Sequence, residues 1–350
     1  MRHTAALIDP PAHTSGIFRS LTTGMTRVIA ILMLALALLG PSVASVTAQS
    51  TPVPAASASP VAQSGIDAAV SWLIAQQDVS GGFIGFSGEP DAGTTVDAVL
   101  ALASVLEPTN AALTAATDFL IENGDEYVQF GPGQAAKLLM AYLAVGQPID
   151  ESGLVESIVG SIPAETDLAE GQLPYCGYGP FDHALCIIAL VAADAEIPGG
   201  MVETLIASQI ENGGWAFDGS SDPAMSDSNT TAIAIQALIA AGVDPSDESI
   251  QAGLTYIQTV IDPEQGGFAY DAHSGLIADA NSTAVVIQAL IAAGEDPASD
   301  EWGQASDALI GFQNASGAFR YQHEFPDDSL YATLQAIPAL AGTPFPLAPR

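Results

Sequence analysis

Two stretches of the chain are near copies of each other. Thr231 to Pro245 reads TAIAIQALIAAGVDP and Thr283 to Pro297 reads TAVVIQALIAAGEDP, 52 positions later. Self-similarity at a fixed spacing means that each unit buries its apolar face against its neighbours, so the repeat constrains the architecture before any single residue does.

The repeat can be counted once the first residues are set aside. Arg27 precedes an apolar run from Val28 to Leu39, followed by small residues ending in Val46-Thr47-Ala48. That order is the pattern of a secretory signal, with Met25 an alternative start. Twelve apolar residues fall short of the roughly 20 that a bilayer-spanning helix needs, so export is expected over a retained anchor. Residues 49–63 are rich in Ala, Ser, Pro and Thr and read as a flexible linker. A folded domain is expected over 64–342, with 343–350 as a tail.

Charge narrows the partners. The chain has 40 acidic and 6 basic residues, and three of the latter, Arg2, Arg19 and Arg27, belong to the leader. Lys137, Arg320 and Arg350 are all that remain against 39 carboxylates. Such a field repels nucleic acid and anionic membrane surfaces, leaving an apolar small molecule or a protein as the expected partner of a monomer. With nearly half its residues apolar, the chain has the material for a core.

From Ser64 onward, six pairs of Ala- and Leu-rich segments of helical length alternate with Gly- and Pro-rich connections. First segments fall near 65–77, 110–122, 151–161, 200–210, 247–260 and 302–313. Second segments fall near 94–105, 134–145, 182–194, 230–241, 282–293 and 328–341. The second segments are apolar nearly all round, as in 230–241, whereas the first are amphipathic, which sorts them into an inner and an outer ring. Neither terminal unit carries the polar face that caps an open solenoid, so the sixth pair is expected to pack against the first.

Three connections share the form Q-x-x-x-G-x-aromatic: Gln77 to Phe83 with Gly81, Gln209 to Trp215 with Gly213, and Gln313 to Phe319 with Gly317. A longer variant runs from Gln258 to Gly266-Gly267-Phe268, and degenerate echoes lie around Phe130-Gly131 and Tyr175. The Gln ends a helix, the Gly supplies a positive φ, and the aromatic folds back over the helix end. This pattern resembles the QW repeat of the prenyltransferase and squalene cyclase superfamily over about 64–341. The resemblance implies an all-α fold, an α6/α6 toroid of six helix-pair repeats.

It implies the chemistry less firmly. Cyclases of the squalene-hopene type carry Asp-x-Asp-Asp-Thr-Ala where an inner helix starts. Here Asp227-Ser228-Asn229-Thr230-Thr231-Ala232 and Asp279-Ala280-Asn281-Ser282-Thr283-Ala284 keep the first Asp and the Thr-Ala, but Asn and a hydroxyl replace the inner carboxylates. Neither an amide nor an alcohol protonates an alkene, and Ser228, Asn229, Asn281 and Ser282 read as helix N-caps. The Asp-x-Cys zinc pair and the basic cluster of prenyltransferases are missing, as is the Gly-Cys-Gly-Glu-Gln-like stretch of thioester relatives. Cobalamin carriers of the same fold close a further β domain over their ligand; with Gly342-Thr343-Pro344-Phe345-Pro346 coming directly after the sixth pair, a carrier of that type is not expected.

The expected function is therefore a secreted, non-catalytic toroid that binds a small apolar ligand or a partner at the mouth of the ring. The alternative is a divergent terpenoid cyclase-like or prenyltransferase-like enzyme whose acid has moved to Asp97, Asp182 or Asp328. Candidate ligand contacts are Asp97, Lys137, His183, Trp215, Phe217, Asn229, Phe268, Tyr270, Asn281, Phe319, Tyr321 and Asp328, with no catalytic residue and no metal ligand assigned and no cofactor indicated. Lys137, the only lysine, is either an ion-pair partner of Asp97 or a ligand anchor. Cys176 and Cys186, ten positions apart in an exported chain, read as a disulfide, with free thiols as the alternative.

Overall fold

A computed structural model describes residues 60–347; the expected signal segment and most of the expected linker lie outside them. Twelve α-helices account for about half of the described residues. Six follow the second segments: α2 (Ala92–Ala103), α4 (Pro132–Ala144), α6 (Pro180–Ala192), α8 (Ser228–Ala240), α10 (Ala280–Ala293) and α12 (Leu330–Leu340). Six follow the first: α1 (Pro60–Ala75), α3 (Ala111–Tyr127), α5 (Leu154–Gly160), α7 (Met201–Ala207), α9 (Glu248–Gln258) and α11 (Ala305–Gly311). Helix α1 opens at Pro60, inside the stretch expected as linker. Proline suits that first position because its missing N–H would have no helical partner.

The even-numbered helices form the inner layer. Each packs against the next, and α12 packs back on α2. They are apolar almost all round because both sides are covered: α8 buries Ile233, Ile235 and Leu238 alike. The odd-numbered helices lie outside: α3, α5 and α9 pack chiefly against the inner helix that precedes each in the chain, α2, α4 and α8, and α1, with none before it, packs against α12. Sequence pairing by adjacency thus joins helices that share a turn, while the main packing partner comes from the neighbouring unit.

The turns explain that offset. The Gln77 amide donates to the Gly81 carbonyl of its own turn (2.8 Å) and to the Ala112 carbonyl at the start of the next outer helix (2.9 Å). Gln209 repeats this with Gly213 and Ser249, both at 2.8 Å. Gln313 repeats it with Gly317 (2.9 Å) and with Gly65 of α1 (2.7 Å), so the last turn is tied to the first helix. Gly213 has φ +90°, and a Cβ there would collide with the Ala252 carbonyl; Gly81 and Gly317 meet Ala115 and Ala68 in the same way. Only glycine meets both demands.

Two short antiparallel ribbons lead into inner helices. β1 (Phe83–Ile84) pairs with β2 (Pro90–Asp91), and β3 (Trp215–Ala216) pairs with β4 (Ser226–Asp227), with Trp215 opposite Asp227. The described residues after α12, up to Leu347, pack against the inner helices. Gln288 Nε2 donates to the Thr343 carbonyl (2.9 Å), the Phe345 N–H donates to Gln236 Oε1 (3.0 Å), and Leu347 is buried.

Candidate functional site

The inner helices start with one device used repeatedly. Asp227 caps α8, its carboxylate accepting from the Thr230 N–H (2.7 Å) and hydroxyl (2.8 Å). Asp279 does the same with Ser282 on α10, and Asp91 with Thr94 on α2. The helices begin two residues earlier than the sequence segments, so the caps are these aspartates and not Ser228, Asn229, Asn281 or Ser282. The next threonine holds the turn. Thr231 Oγ1 accepts from the Trp215 N–H (3.0 Å) and donates to the Asp227 carbonyl (2.7 Å), and Thr95 and Thr333 act alike on Phe83 and Phe319. The Asp and Thr-Ala remnants of the cyclase-like motif therefore have a structural use in this chain.

Burial separates the candidates. Trp215, Phe268 and Phe319 are wholly buried under the turns, and Trp215 Nε1 donates to the Leu205 carbonyl (2.8 Å). His183 is also wholly buried. Its Nδ1 accepts from the Cys176 N–H (2.8 Å), which leaves Nε2 to donate to the Met201 carbonyl (2.8 Å), and burial pulls its pKa down. These four leave the set of ligand contacts, because packing and hydrogen bonds already use every face they have. Cys176 and Cys186 are joined in a disulfide beside His183. Asp328 is exposed at the last turn, where it accepts from Asn314 and Ser316, both at 2.8 Å. Asn281 donates to Gln335 across α10 and α12 (2.9 Å).

The rest face open space. Aromatic-x-aromatic pairs divide their labour: the first ring is buried, and the second, Phe217, Tyr270 or Tyr321, is exposed. Phe217 lies against Tyr178 and Phe181 with centroids 5.9 and 5.7 Å away. Asp97 and Lys137 form an ion pair with side chains 29% and 27% exposed. Burial pulls the Lys137 pKa down, but Asp97, with Tyr127 and Tyr331 nearby, outweighs it and the net shift is upward.

That ion pair separates two cavities. A mouth cavity of about 800 Å³ is walled by the starts of α2, α4 and α12 and by the end of α3, with Phe86, Tyr127, Phe130 and Tyr331 among its aromatic faces. Below it, an axial bore of about 120 Å³ takes side chains from all six inner helices, including Asn229, and is lined at its far end by Phe345. Of these lining residues, the sequence pointed to Asp97 and Lys137 but not to Asp91, Glu126, Tyr127 and Phe130 as ligand candidates. These last lie where the second repeat departs from the turn pattern. There α3 runs on to Tyr127, and a single 3-10 turn (Val128–Phe130) carries the chain to α4. The degenerate repeat was the available signal.

Asp227 is the most perturbed carboxyl. Only 2% exposed, it is pushed up to about 6 by burial, against the hydrogen bonds from Thr230, Asn229 and Phe217 that favour its charged form. It lines neither cavity. The carboxylates of Asp218 and Asp222 accept from N–H groups of their own loop, and no group of three or more metal-ligating side chains occurs among the described residues.

Comparison with solved structures defines the class: the helical architecture is terpene cyclase-like. The type II terpene cyclase MstE from Scytonema superposes with a TM-score of 0.58, 18% identity, and coverage of 80% of this chain and 97% of that one. Haptocorrin in complex with Cbi gives 0.54 and 16% over 83% and 69% of the two chains, and a glycosidase variant gives 0.55 and 11% over 81% and 98%. At these identities the likeness concerns the fold. No family model and no curated protein matches the sequence.

Proposed function

We propose that this chain is an exported α/α toroid of six helix-pair repeats, of the QW-repeat kind, which binds a small molecule with a substantial apolar part in its mouth cavity. The mouth cavity carries this reading. Pockets that enclose small organic ligands measure about 300–1,000 Å³; the 800 Å³ mouth falls within that range and the 120 Å³ bore below it. Its wall combines broad aromatic faces with a few polar groups, the usual composition of such a site. At the bore, where the cyclase resemblance puts an acid, this chain presents Asn229, an amide with no proton to give.

A second reading, an enzyme of the terpene cyclase-like or prenyltransferase-like kind with a relocated acid, draws on the likeness to MstE and on Asp227. That carboxyl keeps its proton into mildly acidic solution, as an acid catalyst must. Access weighs against it, because Asp227 is spent on capping α8. The earlier candidates are also occupied: Asp97 by Lys137, Asp182 by the Tyr178 N–H, and Asp328 by Asn314 and Ser316.

Native mass spectrometry of the protein exported by its own host, followed by incubation with squalene, prenyl diphosphates and geranylgeranyl dihydroxybenzoate, separates the two. A co-purifying small molecule displaced from Phe86→Ala, with no turnover, supports the binding reading. Cyclised or transferred product that is lost in Asp227→Asn supports the enzyme.

A further inference from the structure

We infer that the ligand of the mouth cavity is an organic cation, an ammonium group on an apolar body; the inference rests on the binding reading above. Charge is the first reason. Three carboxylates, Asp91, Asp97 and Glu126, line the cavity against one cation, Lys137, which Asp97 already neutralises. Asp91 and Glu126 are left without a basic partner in the cavity wall, inside a chain of net charge −34. Helix N-termini at the mouth work in the opposite sense, each equivalent to about half a positive charge. On α2 that half charge is met by the full negative charge of its Asp91 cap; the starts of α4 and α12 carry no acid in the first turn, and the end of α3 adds an opposing half negative charge, so the three half positive charges fall short of the carboxylates left over by Lys137. The balance at the mouth stays negative, and an anionic ligand would enter against it.

The aromatic faces are the second reason. Phe86 and Phe130 are 91% and 77% exposed, unusual for phenylalanine, and Phe86 is stacked on Tyr331 with centroids 4.4 Å apart and planes 11° from parallel. The stack leaves the outer face of Phe86 free. The Tyr331 hydroxyl is fixed by Thr94 at 3.1 Å, and Thr94 is in turn held by Asp91 at 3.1 Å, so this wall is preorganised and sits on a carboxylate. A ring face carries the negative part of its quadrupole toward the space in front of it, which attracts an ammonium group more than a neutral or anionic one. Aromatic faces, carboxylates with no basic partner in the wall and an internally neutralised lysine together select a cation.

Calorimetric titration of the full exported chain with three probes of similar size tests this: benzyltrimethylammonium, 3-phenylpropanol and 3-phenylpropionate. The cation is expected to bind best, to weaken as salt is raised from low to moderate concentration, and to lose about fivefold in affinity in Phe86→Ala. A smaller loss, about twofold, is expected in Glu126→Gln. Both side chains are exposed, so neither variant threatens folding, which thermal denaturation would verify. Equal or tighter binding of the alcohol or the carboxylate would overturn the cation while leaving the cavity a binding site. No binding by any of the three overturns the cation as well; the cavity reading is then decided by the co-purifying molecule, so the two fail independently.

Discussion

Asp227 illustrates how one residue couples the fold to solution conditions. The folded chain holds its proton up to about pH 6, whereas the unfolded chain releases it near pH 4. Between these values the native state binds more protons than the unfolded state, so this group makes stability fall as pH rises through the window and adds nothing further above it. Asparagine keeps a capping oxygen and removes the titration. Urea unfolding of Asp227→Asn and the parent at pH 4 and pH 7 should show the variant gaining about 3 kcal/mol relative to the parent at the higher pH, the worth of a two-unit shift. Equal pH profiles would mean that Asp227 is solvated in the native state.

Among the elements, α6 and the loop before it depend most on a covalent tie. The loop from Asp167 to Gly179 has no regular structure beyond the 3-10 turn that opens it, and its packing relies on Cys176, buried against Ile158 and bonded to Cys186 on α6. A disulfide closing a loop of this size removes unfolded-state freedom worth about 3 kcal/mol. The double variant Cys176→Ser/Cys186→Ser should unfold at correspondingly lower denaturant, and His183 would lose the fixed N–H that sets its tautomer. Hydrogen exchange should show the loss of protection concentrated in α6 and α7, whose Met201 carbonyl receives the other side of that imidazole. Protection lost evenly over the chain would contradict a local role.

For the whole molecule, closure is the testable property. Gln209 joins two adjacent units in mid-chain, whereas Gln313 makes the same pair of bonds between the last turn and the first helix. In a closed ring the two seams are equivalent, so Gln209→Ala and Gln313→Ala should each cost about 1–3 kcal/mol by leaving carbonyls unpaired. A much smaller cost for Gln313→Ala, read by denaturant titration, would mean that the ring opens there. Much of this architecture was legible in the sequence, because repetition writes the same local physics several times: Ala-rich helices, a Gln-x-x-x-Gly turn, and an aromatic to cover it. The segments near 94–105, 230–241 and 282–293 fell within two residues of α2, α8 and α10 for that reason. The site was less legible. Sequence could not tell that Trp215 and Phe268 turn inward while Phe217 and Tyr270 turn outward, since side-chain direction depends on which neighbouring carbonyl and helix the turn meets. Nor did it show that Gln236 and Gln288, the polar residues of the two near-identical stretches, hold the segment around Phe345 at the far end of the bore. The sequence alone determined that the units repeat and how each begins and ends, because those are local bonds. Which faces became wall, floor and mouth was decided only by the packing of the helices together, because every cavity surface is shared between helices far apart in the chain.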